Sequence, residues 1–140
     1  MARYAKGASA ERELTKILWG MGFAVARVAG SGKNALPMPD IIAMGKEKKL
    51  AFECKAWNAA YLNIDINSME EQKECVRRAG GELVIAWKVP NKGFLFLRPE
   101  QLTKVQKSYA ISLAKAMKES IPLEMVLGLQ SKLPRQEKLA

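Results

Sequence analysis

Asp40, Glu53 and Lys55 stand in the stretch PDIIAMGKEKKLAFECK, residues 39–55, on or beside segments that read as apolar strands. Valine or isoleucine would pack better there, so these three residues raise a chemical question. In LAFECKA, strand alternation turns Leu50, Phe52, Cys54 and Ala56 to one face and Ala51, Glu53 and Lys55 to the other. Glu53 and Lys55 then sit side by side, about 6–7 Å apart along the strand. A tight hairpin over GKEKK brings Asp40 towards Glu53. Two carboxylates converging beside a lysine make a hard-oxygen site suited to Mg²⁺ or Mn²⁺. The lysine can hold or polarise a water whose pKa the ion lowers. The competing reading is a strand face that Glu53 and Lys55 merely solvate. For Glu-x-Lys alone that bland reading wins. Asp40, twelve residues, then Glu53-Cys54-Lys55, with strands on both sides, is more specific. The expected place for the site is the sheet edge.

Composition limits the alternatives. The chain has 140 residues and no histidine. That removes Ser-His-Asp triads, zinc–histidine sites and histidine acid–base catalysis together. Any chemistry must run on carboxylates, lysine and a metal. Apolar residues make up 49%, with 10 Gly and 6 Pro, a globular composition. The length suits one domain over residues 1–130, with 131–140 as a polar, basic, disordered tail. No window offers the ~18 apolar residues of a membrane span, and the charged N-terminus is unlike a signal peptide. These features place the protein in the cytoplasm as a soluble chain. Cys54 and Cys75 lack metal-type spacing and read as reduced core thiols. Lys and Arg number 23 against 14 Asp and Glu, a net charge of +9. The surplus points to a polyanion, with nucleic acid favoured over membrane; the bland reading is solubility.

The elements that must position the three residues follow from periodicity and punctuation. Residues 8–21 read as a helix with Ala10, Leu14, Ile17, Leu18 and Met21 on one stripe. Ser9 serves as its cap, Glu11 and Glu13 suit its positive end, and Gly20 or Gly22 stops it. Strands follow at 22–29, over DIIAM and over LAFECKA. Residues 30–38 form a loop and 57–67 are irregular. Ser68 with Glu71 resembles a capping box opening a helix over 68–79, stopped by Gly80 and Gly81. ELVIAWKV and GFLFLR are strands around a PNKG turn. Residues 99–118 read as mainly helical, with Tyr109, Leu113, Ala116 and Met117 on one face. PLEMVLGLQ is a last short helix. The fold class is α/β, with a central mixed five-stranded β-sheet flanked by helices.

The stretch GSGKN is not a phosphate loop. Arg27 stands where the first glycine is required, and Asn34 where Ser or Thr is required, so no nucleotide cofactor is expected.

Pro39-Asp40 followed by Glu53-Cys54-Lys55 resembles the PD-(D/E)xK pattern of restriction-endonuclease-like nucleases. KGASAERELTKIL, GFAVARVAGSGK, FECK, GGELVIAWKV and PLEMVLGLQ extend the likeness. In that succession the chain resembles the archaeal Holliday junction resolvases from about residue 6 to 130. The resemblance implies a restriction-endonuclease-like core and metal-dependent cleavage of four-way DNA junctions by a homodimer, with Mg²⁺ as cofactor and Mn²⁺ as substitute. It implies catalytic roles for Glu11, Asp40, Glu53 and Lys55. Glu11, Asp40, Glu53 and the backbone carbonyl of Cys54 would hold the metal, Glu11 often through water. Lys55 would position the attacking water. Arg27 and Ser31 match substrate-associated positions. Glu11 is preferred over Glu13 on the resemblance alone, because the helical wheel places both equally far from the apolar stripe.

Arg3, Lys6, Arg12, Arg27 and Lys33 form the candidate phosphate-contacting surface with Ser31; Lys16 reads as ordinary surface charge. The apolar runs GFLFL and PLEMVLGL are weak candidates for a dimer surface, with core packing the stronger reading. The sequence departs from the family after Lys55, where Trp57 and Tyr61 replace a lysine cluster, and in a longer 99–121 segment. The alternatives are another PD-(D/E)xK repair or restriction nuclease, a non-catalytic DNA-binding module, and a structural protein with fortuitous acids.

Overall fold

The computed structural model describes residues 2–28 and 38–129, with side chains from residue 7 onward. The first helix, α1 (Ala2–Gly20), leads into β1 (Ala24–Arg27), β2 (Ile41–Met44) and β3 (Lys49–Ala56). These three strands form an antiparallel meander: Arg27 opposes Ile41, and Ile41 opposes Phe52. A crossover through β4 (Tyr61–Asp65) and α2 (Ile66–Ala79) returns the chain to β5 (Glu82–Val89), which runs parallel to β3. A crossover of this kind is what parallel neighbours require. β6 (Gly93–Leu97) completes the order β1-β2-β3-β5-β6, so the sheet is mixed and five-stranded as expected.

The two faces of this sheet are packed differently. Leu50, Phe52, Cys54, Ala86 and Phe96 meet Leu14 and Leu18 of α1 on one face. On the other, Ala51, Leu83, Ile85 and Trp87 meet Leu62 and Ile64 of β4 and Met69 of α2. Because β3 and β5 are covered on both faces, they read as near-continuous apolar runs. A polar residue inside either run is therefore conspicuous.

Four expectations need correction. Residues 57–67 contain β4, in which Leu62 and Ile64 are buried and Tyr61, Asn63 and Asp65 are exposed. The mainly helical reading of 99–118 fails. That segment holds a 3₁₀ turn (Pro99–Gln101), β7 (Thr103–Val105) and β8 (Ser108–Ser112) before α3 (Leu113–Glu119). β8 pairs with both β4 and β7 in a second, three-stranded sheet. Tyr109 therefore lies on a strand, not on a helix face with Leu113, Ala116 and Met117. The cap of α2 is Asp65, whose carboxylate accepts the backbone N–H of Ser68 at 3.2 Å, so Ser68 is the recipient of the cap. Finally, α1 begins well before residue 8, which puts Ser9, Glu11 and Glu13 inside the helix, away from its positive end. Gly80 and Gly81 do stop α2. Gly80 adopts φ +73°, and Gly81 donates to the Val76 carbonyl at 2.8 Å. The last short helix, α4 (Leu123–Val126), places Val126 in the core beside α1.

Candidate active site

Asp40 lies at the mouth of β2, and its backbone N–H donates to the Phe52 carbonyl at 3.1 Å, extending the β2–β3 ladder. The hairpin that fixes this register closes where Gly45 N–H meets the Lys48 carbonyl at 2.7 Å. One step further along, the Cys54 N–H donates to Asp40 Oδ2 at 2.8 Å. The Asp40 carboxylate thus sits where the next rung of the ladder would be, against β3 at Glu53 and Cys54. β3 is the middle strand of the five, so the expected edge location is wrong. The site lies where the central strand runs out of antiparallel partner, not at a border of the sheet.

Glu53 is 8% exposed, which rules out a solvated strand face. Its carboxylate faces α2, where Gln72 donates through Nε2 to Oε1 at 2.6 Å. Lys55 Nζ stands 3.4 Å from Glu53 Oε2 and 5.6 Å from the centre of the Trp57 ring. A cation over an aromatic face is held there electrostatically. Trp57 also accepts Trp87 Nε1–H on its backbone oxygen at 3.1 Å, which ties this end of β3 to β5.

The electrostatics follow from burial. Asp40 is pushed up to about 7, first by desolvation and then by the Glu53 carboxylate; the Cys54 N–H and the Lys55 charge oppose the rise. A carboxylate neighbour and loss of solvent both disfavour the ionised form of Asp40. Glu11 is also raised, by burial and by Asp40, against the opposing pull of Arg27. The Cys54 thiol is pushed far up, mainly by burial and then by Asp40, Glu11 and Glu53, so it is inert.

Glu11 and Glu13, equivalent on the helical wheel, have different partners. Glu11 receives Arg27 Nε and Nη2 on Oε1 at 3.1 and 3.0 Å and feels Asp40. Glu13 pairs with Lys88 of β5 at 3.1 Å. Of the two, Glu11 is the one that feels Asp40. As they stand, though, Glu11, Asp40 and Glu53 do not form a ready three-ligand cluster: among the described residues no group of three or more Asp, Glu, His or Cys is so placed. Asp40 and Glu53 form the intimate pair, and Glu11 stands back on Arg27.

Of the proposed phosphate-contacting residues, Arg12 is exposed on α1, and the Arg27 guanidinium, at the end of β1, binds Glu11. The side chains of Arg3 and Lys6, and all of Ser31 and Lys33, lie outside the described residues, as does the 131–140 tail. Gln72 was missed by the sequence reading. Its signal was present: it interrupts the α2 stripe of Met69, Val76 and Ala79 with an amide, at helical spacing.

A mixed sheet with a carboxylate pair and a lysine at the broken ladder of its central strands defines a restriction-endonuclease-like chain. A bacterial homing endonuclease shares this fold at a TM-score of 0.53 and 15% identity, covering 95% of both chains. The particular family is set by closer relatives. The family model for archaeal Holliday junction resolvases (Hjc) matches residues 2–134. The crossover junction endodeoxyribonuclease Hjc of Archaeoglobus fulgidus is 36% identical over 107 residues, covering 76% of this chain and 79% of the relative. The solved structure of Archaeoglobus fulgidus Hjc, described as a Holliday junction resolvase from an archaeal hyperthermophile, superposes at a TM-score of 0.79 with 30% identity, over 88% of this chain and 96% of that one. The chain belongs to the archaeal Holliday junction resolvase family. Among the described residues no helix is long and apolar enough to cross a membrane.

Proposed function

We propose that this chain is a structure-selective endodeoxyribonuclease that resolves four-way DNA junctions by paired, Mg²⁺-dependent hydrolysis of phosphodiesters. The observation that carries the reading is the Cys54 N–H bond to Asp40. It sets half-buried Asp40, buried Glu53 and Lys55 at one point of a chain whose family model is a junction resolvase.

The donor set fits a hard divalent cation. The Asp40 pKa is raised first by desolvation and then by the Glu53 carboxylate, and Lys55 stands against Glu53. Asp40, Glu53 and the Cys54 backbone carbonyl would hold the ion. In an extended strand a residue's N–H and C=O leave by the same edge, and the Cys54 N–H leaves towards Asp40. Glu11 would act from further back through water. When bound, Mg²⁺ offsets phosphate charge and acidifies a water.

The chain's own residues do the rest. Lys55, held between Glu53 and the Trp57 ring, orients the attacking water and supports its deprotonation. Arg12, with Arg3, Lys6 and Lys33, meets phosphates. Arg27 and Ser31 approach the substrate, with Arg27 exchanging between Glu11 and a phosphate. A C₂ homodimer supplies two equivalent sites for two nicks. Part of GFLFL and PLEMVLGL is spent on the core: Phe96, Leu97, Val126 and Leu127 are buried. Phe94 and Leu95 on the β6 edge strand, half-buried against the core, and the exposed Met125 are the residues offered to a partner copy. The reading is tested by offering four-way, flap and linear duplex DNA in parallel with Mg²⁺. Cutting confined to the junction supports it. Equal cutting of all three keeps the nuclease and removes the junction selectivity.

A further inference from the structure

Helix α2 packs on the sheet through Met69 and Gln72, which are both buried; Gln72 is 6% exposed. One turn apart on the same face, they ought both to be apolar. The amide of Gln72 instead spends its Nε2–H on Glu53 Oε1, at 2.6 Å. Its own Oε1 is buried and has no hydrogen-bond partner among the described residues. That is a poor arrangement for stability. An orphaned buried oxygen carries a desolvation cost, and an apolar side chain there would instead take the donor from the buried Glu53 Oε1. The amide's one firm contact is to Glu53.

We propose that Gln72 is a positioning residue that sets the rotation of the Glu53 carboxylate for divalent-metal binding. This rests on the reading of Asp40 and Glu53 as metal ligands. The terminal torsion of a glutamate is broad, so burial alone does not orient its oxygens. The bond from Gln72 commits Oε1 to α2 and leaves Oε2 on the Lys55 side, 3.4 Å from Nζ. The donor itself is anchored. Asp65 caps the start of α2, and Tyr109 Oη donates to Glu70 Oε2 at 2.5 Å, which ties the helix to β8 of the second sheet. A residue so placed acts through the ligand it holds, and losing such a contact typically costs about 10–100-fold in metal affinity or activity.

The test is Gln72→Met, which keeps length and apolar bulk and removes the donor, measured beside wild type and Asp40→Asn. Mn²⁺ binding is followed by calorimetry on the metal-free proteins well below their thermal midpoints. Single-turnover junction cleavage is followed as Mg²⁺ is raised, and junction affinity is measured in EDTA. The expected result for Gln72→Met is a Mn²⁺ Kd raised about 10-fold or more. Cleavage should recover in part at high Mg²⁺, and junction affinity in EDTA should stay within about twofold. Mn²⁺ affinity within about twofold of wild type overturns the proposal and leaves Gln72 as core packing, whatever the thermal midpoint does. If Asp40→Asn also binds Mn²⁺ like wild type, the underlying metal-site reading fails; if Asp40→Asn loses binding while Gln72→Met keeps it, only the role of Gln72 fails.

Discussion

At the residue scale the central fact is the Asp40 carboxyl, raised first by desolvation and then by the neighbouring Glu53. Asp40 titrates near 7 in the metal-free fold against an ordinary value of 3.8. The folded state therefore binds more protons than the unfolded chain between those values. The stability this lends is full below about pH 4 and is lost as pH rises through about 7. Asp40→Asn has no such proton, so its thermal midpoint should gain on wild type steadily from pH 4 to 7 in EDTA; a difference that does not change with pH contradicts the assignment. Cation binding must displace the same proton, so Mg²⁺ affinity should climb over that range and level off above it. Lys55→Met should keep junction binding and lower cleavage by roughly 10²–10⁴-fold, the usual worth of a positioned proton-transfer group. Cleavage at the wild-type rate would remove Lys55 from the mechanism. Asp40, Glu53 and Lys55 were legible in the sequence because each defies strand packing. The preference for Glu11 over Glu13 was not, since both flank the same stripe and only the positions of Arg27 and Lys88 separate them. Gln72 was legible but not read, because one amide in a helix otherwise rich in charge is easily taken as surface.

At the element scale, what decides the site is where ladders stop. β2 begins only at Ile41, after Asp40, while β3 continues to Ala56, and the Asp40 carboxylate fills the vacated rung. Strands with clear apolar runs, such as Glu82–Val89, were readable to the residue. The β7–β8 hairpin was not. Its two-residue loop, closed by Val105 opposite Ser108, places Gln106 at φ +52°. Asn or Gly would ordinarily announce such a turn, and neither is present. β4 was missed because Asn63 and Asp65 are poor strand formers, and its alternation spans only two buried positions. Helix α2 supplies the prediction at this scale. Asp65→Ala removes the cap and should cost about 1 kcal/mol. Gly80→Ala, at a left-handed φ, should cost roughly 1–2 kcal/mol. Denaturant titration reads both, and a loss under a few tenths of a kcal/mol in either would contradict the caps assigned to this helix.

At the scale of the whole molecule, charge and symmetry are the terms that matter. A net charge of +9 on 140 residues predicts DNA binding that weakens steeply with salt. Log affinity against log salt should fall linearly, with a slope of roughly −0.9 per phosphate neutralised on a duplex arm. Arg12→Gln should make the slope shallower without changing metal binding, and an unaltered slope would take Arg12 off the DNA surface. Sedimentation should return twice the chain mass, and Met125→Glu should shift the protein towards the monomer if α4 lies in the dimer contact. A monomeric wild-type protein would leave paired nicking without its geometric basis. The fold at this scale was legible in outline, since five strands and a carboxylate–lysine pattern are local features. The three-stranded second sheet was not, because it pairs β4 with β8, more than forty residues away in the chain.

The most direct measurement is cleavage of an end-labelled synthetic four-way junction by wild type and Asp40→Asn, with Mg²⁺ or EDTA, mapping nicks on all four strands. The account predicts two symmetric nicks on opposing strands with Mg²⁺. EDTA should abolish them, and Asp40→Asn should slow them on the order of 10³-fold, as expected from losing several kcal/mol of charge stabilisation. Tight junction binding without cutting in any divalent metal would contradict it and leave a DNA-binding module on a nuclease fold.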